Sequence, residues 1–478
     1  MRSKHIVTWL GVTLSITLIN SACKTPALVT RTENRTVPTS YVNTTDTART
    51  TGPVTWSEFF TDQNLDTLIA TALRNNQELN INTQEIAISR NEIQARQGEY
   101  LPFLSLRGEA GLDRPGRYTL QGATEEAVTI KERRVPDPLP NFMFGAFASW
   151  EVDIWRKLRN AKQSAVLRYQ SSAEGRNFMV TNLIGEIATS YYELLAYDNQ
   201  LAILKENIEI QSNALRIVRL QKESARVTEL AVRRFEAQVL HTREMQFSVQ
   251  QRIVETENRI NFLVGRYPQP VARNSQSFAT LVPTAVRAGV PAQLLANRPD
   301  IKRAELDLAA AKLDVQVARA NFYPRLEIKA GAGFEAFNPI FLLSTPQSIL
   351  YSLAGGLTAP LVNRLGIKAA YASANARQTQ AVYNYERTIL NAYVEVANQL
   401  ANISNLENSY NLKTQEVAAL TQSTDIANTL FGSARADYME VLLTQRDALE
   451  ARFDLIETKM QQINASVNIY RALGGGWK

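Results

Sequence analysis

The sequence predicts an α+β membrane protein made of two similar halves: mostly long α-helices, plus four β-strands per chain that cannot close a sheet by themselves. Three observations lead there. The stretch DVQVARANFYPRLEIKAGAG at 314–333 repeats a weaker copy, EIQARQGEYLPFLSLRGEAG, at 92–111. After each copy the apolar pattern switches from a helical period to strict alternation. Two proline-free stretches, about 160–222 and 367–432, then carry apolar residues at intervals of seven.

The bulk numbers set the frame. A chain of 478 residues with 45% apolar content is long enough for a sizeable core and is not disordered as a whole. The net charge is +6, and Arg2 and Lys4 fall in the leader. That balance is too weak to imply nucleic acid, and no basic run is interleaved with aromatics.

Residues 1–22 read as a signal peptide, with a basic start, an apolar run from Ile6 to Ile19 and small residues before Cys23. The run is too short for an ordinary transmembrane helix. Cys23 is the only cysteine, which excludes an intrachain disulfide and places it where a lipoprotein signal is cut and acylated. Ser21-Ala22-Cys23 fits such a site, whereas Asn20 stands where Leu or Val is usual. Residues 23–55, rich in Thr, Arg and Asn, read as a lipid-anchored tether or an extended surface segment. The first repeat then runs over 56–290 and the second over 291–478.

The repeat extends beyond the quoted words. An offset of 222 pairs Pro102 with Pro324, Leu79 with Ile301 and Gly111 with Gly333. Later the offset becomes 209, pairing Ser224-Ala225-Arg226 with Ser433-Ala434-Arg435 and Val264-Gly265 with Leu473-Gly474. Such a period is far too long for a solenoid and describes a fused pair of halves.

Each half opens with a helix, 77–100 and 299–322, ended by Pro102 or Pro324. A strand follows at about 103–112, with Leu104, Leu106, Ala110 and Leu112 opposite Ser105, Arg107 and Glu109. Its counterpart at 325–334 sets Leu326, Ile328, Ala330, Ala332 and Phe334 against Arg325, Glu327 and Lys329. Return strands are predicted at 141–153 and 349–361, the latter including Leu361. Each has about the length a tilted strand needs to cross a bilayer. A half-buried sheet of a soluble protein would alternate in the same way. The export signal, and four strands among such long helices, favour the membrane.

Four strands cannot close a barrel, and open edges in hydrocarbon would leave backbone groups unpaired at several kcal/mol each. Closure therefore needs other copies of the chain. Two copies would give eight strands and three would give twelve, and only the larger ring leaves a passage.

The long helical stretches would span roughly 93 and 99 Å at 1.5 Å per residue. Ile187, Leu194, Leu201, Ile208 and Leu215 form one seam, and Val396, Ile403, Tyr410 and Val417 its counterpart. Each helix turns at Ser-Ala-Arg into a shorter one, 228–264 and 437–473, with Thr228 and Asp437 suited to cap the new N-termini.

Four longer words carry a family resemblance: LLANRPDIKRAELDLAAAKLDVQVARANFYPRL at 294–326, SWEVDIWRKLRNA at 149–161, ARADYMEVLLTQRDALE at 434–450 and YRALGGGW at 470–477. From about Trp56 to Lys478 the chain resembles the bacterial outer-membrane efflux proteins of the TolC and OprM type, in the lipoprotein branch that serves resistance-nodulation-division pumps. The resemblance implies a homotrimer, with a twelve-stranded barrel in the outer membrane and a helical barrel in the periplasm. It also implies an outer-membrane lipid environment, a periplasmic adaptor and an inner-membrane resistance-nodulation-division transporter as partners. By position, the adaptor-contacting tips are Ala225, Arg226, Val227 and Thr228, and Ala434, Arg435, Ala436 and Asp437. The periplasmic constriction falls on Met439 and Leu443, which otherwise read as ordinary seam residues. Ala225 and Ala434 stand where the family usually has glycine. Leu443 stands where close relatives place an aspartate, which implies a more hydrophobic constriction.

No catalytic or cofactor chemistry is read from the residues. His241 is the only histidine beyond the leader, so neither a triad nor a Cys/His metal site can be assembled. Gly474-Gly475-Gly476 follows a helix end and reads as a C-cap. Six methionines leave no soft-ligand trail for copper or silver, which tilts the expected cargo toward organic compounds. The expected function is a passive exit duct. The rival readings are the duct of a type I protein secretion system and a coiled-coil scaffold of the cell envelope.

Overall fold

The computed structural model describes residues 25–28, 31–41, 50–130, 133–360, 362–433 and 435–477, so Cys23, Leu361 and Ala434 lie outside the described residues. The chain forms two compact units. One comprises Met1–Thr32, Ala87–Gln170 and Leu306–Tyr383, and the other Glu33–Ile86, Ser171–Glu305 and Asn384–Lys478.

The main elements follow in order. Helices α1 (Gln63–Asn75) and α2 (Gln77–Tyr100) precede β1 (Phe103–Asp113) and β2 (Leu139–Val152). Helices α3 (Lys157–Glu223) and α4 (Glu229–Val264) complete the first half. The second half comprises α5 (Pro299–Ala320), β3 (Arg325–Ala336), β4 (Ile349–Thr358), α6 (Leu365–Gly432) and α7 (Tyr438–Ala472). At 67 and 68 residues, α3 and α6 are each roughly 100 Å long.

In the first unit the strands form one antiparallel sheet in the order β1-β2-β3-β4. Its register sorts the side chains by chemistry. One row runs Leu106–Ala146–Ala332–Tyr351, the next Leu104–Ala148–Ala330–Leu353, and a third Gly108–Phe144–Phe334–Ile349. All belong to one face, on which Leu106, Tyr351 and Leu353 are largely exposed. The opposite face carries Arg107, Glu109, Glu151, Arg325, Glu327, Lys329 and Glu335. Edge strands β1 and β4 have no further strand beside them among the described residues.

In the second unit the largest apolar cluster joins Leu65, Ile69 and Ala72 of α1 to Ile184, Ile187, Tyr191 and Leu194 of α3, with Ile260 and Val264 of α4 and Val467 and Tyr470 of α7. Asp62 starts α1 by accepting from Asn64 N and Leu65 N at 2.8 and 3.3 Å, and its second oxygen takes the Tyr191 hydroxyl at 2.8 Å. One carboxylate thus sets both the start of a helix and its position on α3. Further along α3, burial is complete at Leu204 and Val218 and nearly so at Gln211. That row is displaced by three residues from the expected Leu201–Ile208–Leu215, because a two-residue seam uses both positions of each heptad. At Gln211 the amide oxygen accepts from Thr242 Oγ1 at 2.8 Å, while the amide nitrogen is buried without a hydrogen-bond partner among the described residues.

The duplication is visible as two equivalent stitches. In the first half Asn76 Nδ2 donates to Leu263 O at 2.9 Å; in the second Arg298 Nη1 donates to Ala472 O at 2.7 Å. These residues correspond under the two offsets. The helix ends they hold are also alike: Arg266 N bonds Asn261 O and Gly475 N bonds Tyr470 O, with Gly265 and Gly474 at φ 76 and 83. A Cβ on Gly265 would lie 2.5 Å from Asn75 O, and one on Gly474 would lie 2.7 Å from Asn297 O. Both the left-handed backbone and the close approach require glycine. The glycine cluster is thus a helix stop pressed against the start of α5.

Candidate functional site

The parts that bear on function are the sheet, the joints that hold it, the segment after the leader, and the hairpin tips. At the sheet, Asp153 follows β2, and its side chain is almost fully buried. It accepts from Leu158 N at 3.0 Å, from Arg159 N at 2.9 Å and from Arg159 Nε at 3.1 Å. A buried carboxylate that captures the first free amides of α3 fixes where the strand ends and the long helix begins. Trp155 stacks on Tyr323 with centroids 4.8 Å apart, and its indole donates to Pro324 O at 2.8 Å. Two of the words that carried the resemblance therefore meet at this joint.

In the second unit Arg298, from the word LLANRPDIK, ties three parts of the chain together. It reaches Asp300 at 2.7 Å, Glu395 of α6 at 2.8 Å and Ala472 O. Burial pushes this guanidinium down, but the hydrogen bond and charge of Asp300, followed by Glu395, outweigh it and leave its pKa raised. Its role was not apparent from the sequence, because an arginine before a proline reads only as part of a helix start.

The segment after the leader is not loose over 31–41. Arg31 lies over the Tyr383 ring at 4.1 Å and donates to its hydroxyl at 2.9 Å. In the second unit Asn34 N donates to Glu386 at 3.0 Å and Arg35 pairs with Glu305 at 3.0 Å. Tyr41 stacks on Tyr393 at 5.5 Å and is only 2% exposed. Of the two alternatives for 23–55, a tether or an extended surface segment, this stretch has the form of the second: it lacks helix and strand and is mostly exposed. Its order comes from arginine and tyrosine contacts far away in the chain, which leave no apolar period.

At the first tip α3 ends with Ala225 N donating to Lys222 O at 2.8 Å and Arg226 N to Gln221 O at 2.9 Å. Ala225 adopts φ 58, the left-handed conformation in which such a stop usually has glycine. The second tip repeats the long bond, from Arg435 N to Leu430 O at 2.9 Å. Ala225, Arg226 and Thr228 are exposed, as are Arg435 and Asp437, while Val227 and Ala436 are half-buried. Thr228 and Asp437 occupy the N-cap positions of α4 and α7, but neither side chain makes a capping hydrogen bond. The expectation of side-chain caps is corrected: both residues are exposed, where water can serve the free amides.

Above the tips Val218, Ala231, Val232 and Phe235 pack with Ala427, Val441 and Leu442, which joins the two hairpins of the chain. Met439 and Leu443 are not in that seam. Met439 Sδ lies 3.1 Å from Arg234 Nη1, and Leu443 is 42% exposed.

An exposed apolar sheet face with open edges, fused to helices of this length, defines a membrane-embedded subunit that needs further copies of itself. The chain belongs to the outer membrane efflux protein family, whose model matches residues 68–266 and 290–475. It is 29% identical to the pyoverdine export outer membrane protein OpmQ of Pseudomonas putida, over 88% of each chain. It is 28% identical to the cation efflux system protein CusC of Escherichia coli, over 91% of each chain. Among solved structures, the MtrE outer membrane channel of Neisseria gonorrhoeae superposes with a TM-score of 0.81 at 20% identity, covering 95% of this chain and 98% of that one. That last likeness concerns the fold. The protein is an outer-membrane efflux channel subunit: three chains each give four strands to a β-barrel in the membrane, and their helices form a barrel in the periplasm.

Proposed function

We propose that this chain is the passive exit duct of a tripartite efflux system, driven by an inner-membrane resistance-nodulation-division transporter through a periplasmic adaptor. The observation that carries this reading is the four-stranded sheet, apolar on one face and charged on the other, with both edges open. Such a sheet is stable in lipid only as part of a closed ring, and its charged face then lines a wet passage. The duct holds no energy source and carries out no reaction. Cys23, acylated after removal of 1–22, anchors the N-terminus in the outer membrane, and the ordered stretch 31–41 follows that anchor.

Ala225, Arg226, Val227 and Thr228, with Ala434, Arg435, Ala436 and Asp437, receive the adaptor. Met439 and Leu443 form the periplasmic constriction, and their place outside the buried seam supports that assignment. OpmQ and CusC are named for different cargoes, so neither cargo is carried over; organic compounds are the first class to test. Deleting the gene should sensitise the host to some members of a panel of antibiotics, dyes, detergents and metal salts, with rescue by the intact gene. A deletion strain unchanged across the whole panel would contradict the efflux role. In planar bilayers, Leu443→Asp should increase selectivity for cations, and unchanged selectivity would remove Leu443 from the constriction.

A further inference from the structure

The charged face of the sheet holds one cation that differs from the rest. Arg325 lies 3.8 Å from Glu151 and 3.9 Å from Glu327, and Lys329 lies 3.7 Å from Glu327. Arg107, on the same face, has no carboxylate within ion-pair distance among the described residues. Its guanidinium instead lies over the Phe147 ring, 5.1 Å from the centroid. Phe147 pairs across the sheet with Ser105, so the guanidinium leans toward that end of β1 and away from Glu109.

The surroundings keep this pair open. Phe147 lies against Gly331, where a Cβ would come within 2.6 Å of the ring, so the glycine lets the aromatic lie down on the sheet. Arg107 is opposite Gly145, which in turn is opposite Gly333, so the next two positions of that row carry no side chain before Leu350 on β4. The outcome is an exposed guanidinium, backed by an aromatic ring, above bare backbone.

Resting on the duct reading, which makes this face the lumen, we propose that Arg107 and Phe147 form a binding site for planar organic anions, present three times around the barrel. A guanidinium has a rigid fork of donors that fits carboxylate or sulfonate oxygens, and its flat faces accept aromatic groups. Arg325 and Lys329 are less suited, because each has a glutamate within 4 Å and neither lies over an aromatic ring among the described contacts. The site gives the barrel a preference among solutes that is independent of the pump.

The test uses the full-length trimer in planar bilayers, with naphthalenesulfonate added on the side away from the helical barrel and methanesulfonate as the non-aromatic control. Naphthalenesulfonate should reduce the current, and methanesulfonate should do so only at much higher concentration. Loss of a charge-assisted contact in Arg107→Gln should weaken the block by about tenfold or more. Phe147→Leu should weaken it for naphthalenesulfonate and leave methanesulfonate unchanged. Lys329→Gln should leave both unchanged. Equal block of wild type and Arg107→Gln, with the variant still trimeric and conducting, would overturn this site while leaving the duct intact. A wild-type trimer with no conductance would overturn the duct reading and this site with it.

Discussion

Arg298 shows how one side chain can tie the second half together. In the first half an uncharged Asn76 makes the equivalent bond to Leu263 O. In the second half the arginine adds ion pairs to Asp300 and to Glu395 of α6. Arg298→Ala removes a buried partner from two carboxylates and should cost ~3–5 kcal/mol in denaturant unfolding of the detergent-solubilised protein. Arg298→Asn copies the first half and should recover only part of that loss, because Asp300 and Glu395 stay unpaired. Ala225 provides a prediction of opposite sign. Held at φ 58 at the end of α3, it carries strain that glycine would not. Ala225→Gly should therefore stabilise the tip by ~1 kcal/mol, read as slower hydrogen exchange at the amides of Ala225 and Arg226. Equal or faster exchange would show that the stop is not strained.

At the scale of elements, α3 carries a charge in an unfavourable place. Burial pushes the Glu193 carboxyl up from its usual range, partly offset by Arg259. A raised folded pKa means that the folded state holds the proton more tightly than the unfolded state. Between the unfolded value of 4.5 and that raised value, stability should fall as pH rises. Glu193→Gln should therefore stabilise the protein at neutral pH, with an advantage that shrinks as the pH falls from that raised value toward 4.5. A thermal-unfolding series over pH checks this, and a pH-independent difference would contradict it. Other element features were readable beforehand for physical reasons. Alternation at 103–112 and 325–334 reflects a two-residue period that only a strand has, and Pro102 and Pro324 cannot continue a helix. What escaped were contacts between residues far apart in sequence. The fixed course of 31–41 depends on Tyr383, Glu386 and Tyr393, and Arg107 gains its setting from Phe147 and Gly331, on two other strands. Neither leaves a local pattern to read. Met439 and Leu443 came from position in a resemblance, since their spacing alone also fits a seam.

For the whole molecule, the central claim concerns the sheet's two open edges. Among the described residues β1 and β4 have no strand along their outer sides, and Leu104, Leu106, Tyr351 and Leu353 expose apolar surface beside them. In lipid these edges must find partners, so each β1 is expected to pair with the β4 of a neighbouring copy until the ring closes. The most direct measurement is the mass of the detergent-solubilised particle by light scattering coupled to size exclusion, with the detergent contribution subtracted. The account predicts a single species of three chains that needs detergent to stay in solution. A monodisperse single chain, soluble and folded in plain buffer, would contradict it.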